Sequence, residues 1–245
     1  MPLAVLPAQV ADIEPIYDVY FSAFKGEPII DYLYPGGVDR PAHTEGTRQW
    51  WAHDTTGYTI KCVDSSSGKI VGMAVWDIFW KPGKENGWEL PTGIPWLQGE
   101  EKKLCEAVLG PMWNLRDEIF GNRQRYVYLS VIAVDPEQQR RGIGRLLMQW
   151  GLNVAEQLDL PIYTESSQAG LALYEGLGFE RLTHVRLIHK EEVTGRPDEE
   201  VPLMVKMPSA AKGVSFKEWA EKGYPEGYQV HVNGNGKVNG VNGHD

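Results

Sequence analysis

Ser130-Val131-Ile132-Ala133-Val134-Asp135-Pro136-Glu137-Gln138-Gln139-Arg140-Arg141-Gly142-Ile143-Gly144-Arg145-Leu146-Leu147 reads as the end of a buried strand, a turn and a basic, glycine-rich helix start. Tyr126 to Val134 is almost continuously apolar or aromatic, as a central strand covered on both faces requires. Asp135-Pro136 ends it, because proline lacks the N–H that a ladder needs. From Ile143 the apolar residues fall at helical spacing, at Leu146, Leu147, Trp150 and Val154. Gly142 and Gly144 allow a ligand close to the backbone, and the first turn of the helix offers unpaired N–H donors at the positive end of its dipole. Arg140, Arg141 and Arg145 add charge at the same place. These are the parts of a pyrophosphate-binding site.

The rest of the composition makes that cluster more informative. At 245 residues the chain can bury a full core, and its net charge of −9 disfavours nonspecific binding to nucleic acid or to an anionic membrane. Cys62 and Cys105 offer neither a disulfide framework nor metal spacing, and no His/Cys/Asp cluster has the spacing of metal ligands. No apolar run reaches spanning length, and Met1 to Pro7 is too short and uncharged for a secretory signal. The expectation is an intracellular, cytoplasmic protein, monomer or homodimer, with no nucleic-acid, membrane or metal partner.

Leu3 to Leu6 reads as a first strand, and Ile13, Ile16, Tyr17, Tyr20 and Phe24 line one face of a helix. Pro41 to Ala52 holds a further helix. Tyr58 to Val63 and Lys69 to Trp80 flank Asp64-Ser65-Ser66-Ser67-Gly68 and read as a hairpin. Residues 81–124 interrupt the pattern with a helix around Lys102 to Leu109 and with Trp88, Trp96 and Trp113. These tryptophans either pack the insertion onto the body, the reading we favour, or line an acceptor pocket. After the central strand and helix come a strand at Leu160 to Thr164, a short helix from Gln168 ending at Gly178, and late strands at Phe179 to His189 and Val201 to Met207. This alternation predicts an α/β fold with a mixed sheet. Residues 209–230 form a C-terminal extension with a helix at Ser215 to Lys222, and the Asn/Gly-rich segment 231–245 is expected to be a disordered tail.

Gln139-Arg140-Arg141-Gly142-Ile143-Gly144 resembles the acetyl-CoA motif of the GNAT superfamily of N-acetyltransferases: Gln or Arg, two residues, Gly, one residue, Gly or Ala. It follows a strand and opens a helix. About thirty residues on, Leu173-Tyr174-Glu175-Gly176-Leu177-Gly178-Phe179 is similar to the family's second motif. Two other phosphate sites do not match: a P-loop needs Gly-Lys-Ser/Thr, and a dinucleotide fingerprint needs a third glycine where Leu147 stands. The resemblance is specific over about residues 126–180 and extends over 1–208 in element order.

The resemblance implies an acyl-CoA N-acyltransferase fold whose central strands splay, with flanking helices and an insertion before the central strand. Backbone groups of Ile132, Ala133 and Val134 would bind the pantetheine arm. Amides of Arg140 to Arg145 would hold the pyrophosphate, Gln139 opens the cofactor-binding motif, and a side chain of Arg140, Arg141 or Arg145 would meet the 3′-phosphate. Tyr174 stands where the family places the tyrosine that protonates the departing thiolate; an ordinary phenol is neutral at pH 7. Ser167 replaces an asparagine that contacts CoA in many members. Tyr128 and Ser130 stand where some members carry histidines, and strand alternation places them on one face with Ile132, toward the acceptor. Glu165 or Asp77 is the carboxylate candidate for the amine's proton, with Glu165 preferred; His184 and His189 read as structural. Direct attack of an amine on the thioester of acetyl-CoA is the implied chemistry. The acceptor is a small-molecule or peptide amine. The rival reading is a CoA-binding protein of the same fold without transferase activity.

Overall fold

The computed structural model describes residues 2–81, 83–121 and 124–229. The expected tail, 231–245, lies outside the described residues. The elements are β1 (Leu3–Pro7), α1 (Ile13–Ala23), α2 (Pro28–Leu33), α3 (Arg40–His53), β2 (Gly57–Asp64), β3 (Lys69–Phe79), α4 (Gly99–Ile119), β4 (Tyr126–Val134), α5 (Ile143–Leu158), β5 (Ile162–Glu165), α6 (Leu171–Glu175), β6 (Glu180–Arg181), β7 (Leu187–His189), α7 (Glu191–Thr194), β8 (Glu199–Val201), β9 (Leu203–Lys206) and α8 (Phe216–Glu221).

The main sheet has seven strands in the order β1-β2-β3-β4-β5-β9-β6. From β1 to β4 every neighbour is antiparallel, and β2 and β3 form the expected hairpin. The β4–β5 pair is parallel and holds register only at Val127↔Ile162 and Tyr128↔Tyr163. Beyond Tyr128 the two strands part, and the Thr164 hydroxyl donates to the Leu129 carbonyl at 2.9 Å where the gap opens. The family resemblance implied this splay, and the register locates it.

Two helices clamp the sheet. On one face α5 buries Ile143, Leu147, Met148 and Ala155 against a core that includes Ala74, Trp76, Val127 and Leu129. On the other, Ile16 and Val19 of α1 meet Met73 and Ala133. Gly151 sets the α5 distance: a Cβ there would lie 2.3–2.5 Å from the Trp76 ring.

The insertion folds as more than the expected short helix. α4 runs 21 residues through Pro111. Proline removes one backbone hydrogen bond, but the face on both sides of it is buried, at Cys105, Val108 and Leu109 before and Arg116 and Ile119 after. Tertiary packing therefore overrides the local break. The expected late strands also differ. The chain bends at Thr183–Val185, so the first divides into β6 and β7. Pro202 separates β8 from β9, and β7 pairs with β8 in a separate two-stranded sheet. The C-terminal extension is part of the body: Phe216, Trp219 and Tyr228 are buried in one cluster with Phe120, Tyr126 and Tyr163.

Gly151→Ala will lower the thermal midpoint. Alanine gains about 1 kcal/mol in helix propensity, but overpacking against a rigid, fully buried indole costs about 1–3 kcal/mol. Gly46→Ala in α3, where a Cβ meets nothing within 4 Å, isolates the propensity gain and will hold or raise the midpoint. Parallel melts of the two variants check the sign.

Candidate active site

One end of the candidate site is built on β4. Opposite β3 the register runs Val75↔Val131 and then Trp76↔Leu129, so Ser130 is an unpaired extra residue. Such a bulge bends its strand and reverses its side-chain phase. Val127 and Leu129 before it, and Ile132 and Val134 after it, all pack in the α5-side core, whereas Tyr128 packs in the opposite cluster. Simple alternation, which placed Tyr128, Ser130 and Ile132 on one face, fails here for that reason. Past Tyr128 the β5-facing edge of β4 has no strand partner, so the backbone of residues 130–134 is open to an extended ligand on that side.

The turn that follows is shaped for an anion. Asp135 accepts from the Glu137 amide at 3.0 Å, and Gly142 stands before α5 with φ 81°, a left-handed conformation that favours glycine. Arg140 also has φ 63°. The three arginines have different surroundings. Arg141 is committed to the protein: its guanidinium lies 2.8 Å from the carboxylate of Asp64, which is 5% exposed. The Arg141 hydrogen bond and the Ser66 amide hold that carboxyl below its ordinary range. Arg145 donates to the Gly176 carbonyl at 3.3 Å. Arg140 is exposed and its side chain has no hydrogen bond or ion pair among the described residues.

At the splay, α6 carries Tyr174, which is 4% exposed. Burial pushes the phenol up to about 12, with the Thr164 hydroxyl pulling the other way. Its proton is therefore held across the neutral range. Ser167 caps the turn leading to α6, its Oγ accepting from the Gly170 amide at 3.2 Å; its hydroxyl proton is left to donate.

Beyond Tyr174 a cleft opens between the parted strands, α2, α4 and the β7–β8 pair. Its walls include Phe24, Ile29, Val108, Ser130, Glu165 and Tyr174. The structure thus brings Ser130, Ile132, Glu165, Ser167 and Tyr174 to one cleft. Tyr128, Asp77 and every tryptophan stand outside its lining. Trp88 instead packs the insertion onto the body and donates its indole N–H to Asp117 at 2.7 Å, consistent with the packing role. His189 does line the cleft; burial lowers its pKa.

Behind the cleft lies Arg116, which the sequence reading missed. It is 7% exposed, with its guanidinium carbon 3.9 Å from the Tyr128 ring centroid and 4.4 Å from that of Trp88. Burial works against its charge, while Tyr128, Glu165, Tyr126 and Asp77 favour it, and together they raise its pKa. Asp77, opposite Tyr128 in register, is pushed up to about 6 by burial, which Arg116 opposes and Asp54 reinforces. A signal was available: Cys105, Leu109, Met112, Arg116 and Ile119 follow helical spacing, which puts an arginine in an apolar stripe.

Comparison with known proteins agrees with this geometry. The sequence pattern of the acetyltransferase (GNAT) family matches residues 14–179. The chain is 37% identical over 145 residues to a protein of Ajellomyces capsulatus named "Probable acyltransferase SID5", covering 59% of this chain and 99% of that one. Among solved structures, a mutant agmatine N-acetyltransferase in its apo form matches with a TM-score of 0.61 and 16% identity, over 84% of this chain and 99% of that one. A mosquito arylalkylamine N-acetyltransferase-like protein matches with a TM-score of 0.60 and 16% identity, over 84% and 100%. At those identities the two structures speak to the fold alone. With its family pattern, splayed sheet and glycine-arginine turn in agreement, the chain belongs to the acetyltransferase (GNAT) family.

Proposed function

We propose that the protein is an acetyl-CoA-dependent N-acetyltransferase that passes an acetyl group directly to a primary amine. The observation that carries this reading is that Tyr174 and the unpaired stretch of β4 line one cleft next to the glycine-arginine turn. The anion-shaped turn opens α5, the unpaired edge of β4 leads from it, and the buried Tyr174 hydroxyl sits where that edge meets the acceptor cleft. The residues fit acetyl-CoA: helix-start amides for the pyrophosphate, an open strand edge for the amides of the pantetheine arm, and a proton-loaded phenol for the sulfur.

In this reading the cleft orients the amine beside the thioester, and holding the two together supplies much of the acceleration. The amine nitrogen forms a bond to the acetyl carbonyl carbon and the C–S bond breaks. Tyr174 gives its O–H proton to the departing sulfur, and the amine's proton passes to the Glu165 carboxylate at the end of β5. Solvent then returns a proton to Tyr174 and removes the one on Glu165. Ser130 and the apolar walls contributed by Phe24, Ile29 and Val108 contact the acceptor.

Release of free thiol from acetyl-CoA tests the proposal, with 1,4-diaminobutane, 2-phenylethylamine, glucosamine and a peptide with a free N-terminus as acceptors. Thiol release above the amine-free rate supports it. Acetyl-CoA binding without release by any amine overturns it in favour of the binding-protein reading. Tyr174→Phe will lower kcat about a hundredfold or more while leaving the Kd for CoA within about twofold. Because the phenol is raised to about 12, and so stays protonated up to that pH, wild-type kcat will show no loss from Tyr174 deprotonation between pH 7 and 10. An unchanged kcat in the variant removes Tyr174 as the acid.

Arg140 is the arginine we assign to the 3′-phosphate, because Arg141 and Arg145 already have protein partners. Arg140→Ala will raise the Kd for CoA roughly tenfold, as expected for one exposed charge-assisted contact, and will leave the Kd for 3′-dephospho-CoA unchanged. Calorimetric titration with the two ligands separates this from a general loss of the turn.

A further inference from the structure

We propose that Asp64 and Arg141 are positioning residues whose ion pair holds the glycine-arginine turn in the shape that receives the cofactor's pyrophosphate, so that a buried carboxylate strengthens the binding of an anion. This rests on the acetyl-CoA reading above. The Arg141 guanidinium bridges two places. One nitrogen lies 2.8 Å from Oδ2 of Asp64, and the other donates to the Gln138 side chain, three residues earlier in the same turn. Asp64 is a fixed anchor. It ends β2, is in register with Leu3 of β1 and with Lys69 of β3, and its Oδ1 accepts from the Ser66 amide at 2.9 Å. Its exposure is 5%. A second tie to the β2–β3 hairpin stands where the turn begins: the Asp135 amide donates to the Val71 carbonyl at 3.1 Å. The turn is therefore tethered to one hairpin near both of its ends.

The backbone of the turn gives the tether a use. Arg140 has φ 63° and Gly142 has φ 81°. Glycine takes a left-handed conformation readily, but in arginine the Cβ is crowded there, and such a residue persists only where its surroundings hold it. Arg141 lies between these two residues, and its partner stands 77 positions away in the chain. A turn already in its binding shape loses less conformational freedom when the ligand arrives. Electrostatics alone gives the opposite expectation. A carboxylate beside a polyphosphate site repels the ligand, and its pairing with Arg141 takes one of three guanidinium groups away from the phosphates. The sign of its effect on binding therefore separates positioning from the bare field.

Calorimetric titration of Asp64→Asn with CoA reads that sign. Asparagine keeps an acceptor for the Ser66 amide and removes the charge; Asp64→Ser, a smaller acceptor for the same amide, repeats the test in a second background. In protein with native circular dichroism, each variant will raise the Kd for CoA roughly tenfold. The Kd for 3′-dephospho-CoA will rise by the same factor, because the pyrophosphate is common to both ligands; loss of a 3′-phosphate contact would spare the second ligand. Arg141→Met will also weaken both, and the Asp64→Asn/Arg141→Met double variant will be no weaker than Arg141→Met alone, because the two side chains act as one unit. Arg141→Lys, which keeps a charge for Asp64 without the fork to Gln138, will fall between wild type and Arg141→Met. In the thiol-release assay Asp64→Asn will raise the KM for acetyl-CoA and leave kcat within about twofold. Unchanged or tighter CoA binding by Asp64→Asn overturns the proposal, as do multiplicative losses in the double variant. If the wild-type protein does not bind CoA, the acetyl-CoA reading itself fails, whereas equal binding by wild type and Asp64→Asn rejects the ion pair's role alone.

Discussion

Every feature of the site depends on the short pairing between β4 and β5. The two strands share register at Val127↔Ile162 and Tyr128↔Tyr163 and then separate. Backbone groups stripped of a strand partner need another one, because an unpaired buried amide or carbonyl costs free energy comparable to a lost hydrogen bond. Thr164 satisfies the Leu129 carbonyl at the opening. The edge beyond it is left for an extended ligand. The same separation makes room for Tyr174 from α6 and for the cleft that runs toward α2 and α4.

The bulge at Ser130 is the second local event that the site depends on. One unpaired residue shifts the side-chain phase of β4 midway. Both halves of the strand thereby place aliphatic residues under α5, while Tyr128 stays on the opposite side beneath the insertion. Without the extra residue, Ile132 and Val134 would leave the α5 core. The bulge lets one strand serve as core, as an unpaired edge and as a wall of the cleft.

The insertion supplies what the splayed sheet alone does not. α4 walls the cleft with Val108 and Met112 and carries Arg116 beneath it. A buried guanidinium between two aromatic faces is an expensive element. The groups that favour its charge, Asp77, Tyr126, Tyr128 and Glu165, come from β3, β4 and β5, so the cluster couples the insertion to the sheet at the point where the strands part. Under the proposed function, donor and acceptor roles divide along the chain, with the turn and α5 on one side and the insertion with β7 and β8 on the other.

The sequence by itself determined the central strand, the turn after it and the helix that follows. The apolar run from Tyr126 to Val134 matches β4 residue for residue, α5 begins at the expected Ile143, and β2 and β3 form the expected hairpin. These features are legible because they are local: periodicity, a proline stop and a glycine of positive φ are all set within a few residues. Only the tertiary structure decided the cleft and the insertion that walls it. It carried α4 through Pro111, divided the late strands into two sheets, engaged Arg141 with Asp64 some 77 residues away and left Arg140 exposed. It also set Arg116 between the rings of Tyr128 and Trp88. The physical reason is that long-range contacts outweighed local preference at each of these places: a buried face against a missing hydrogen bond in α4, and an ion pair or ring stack against solvation for the arginines.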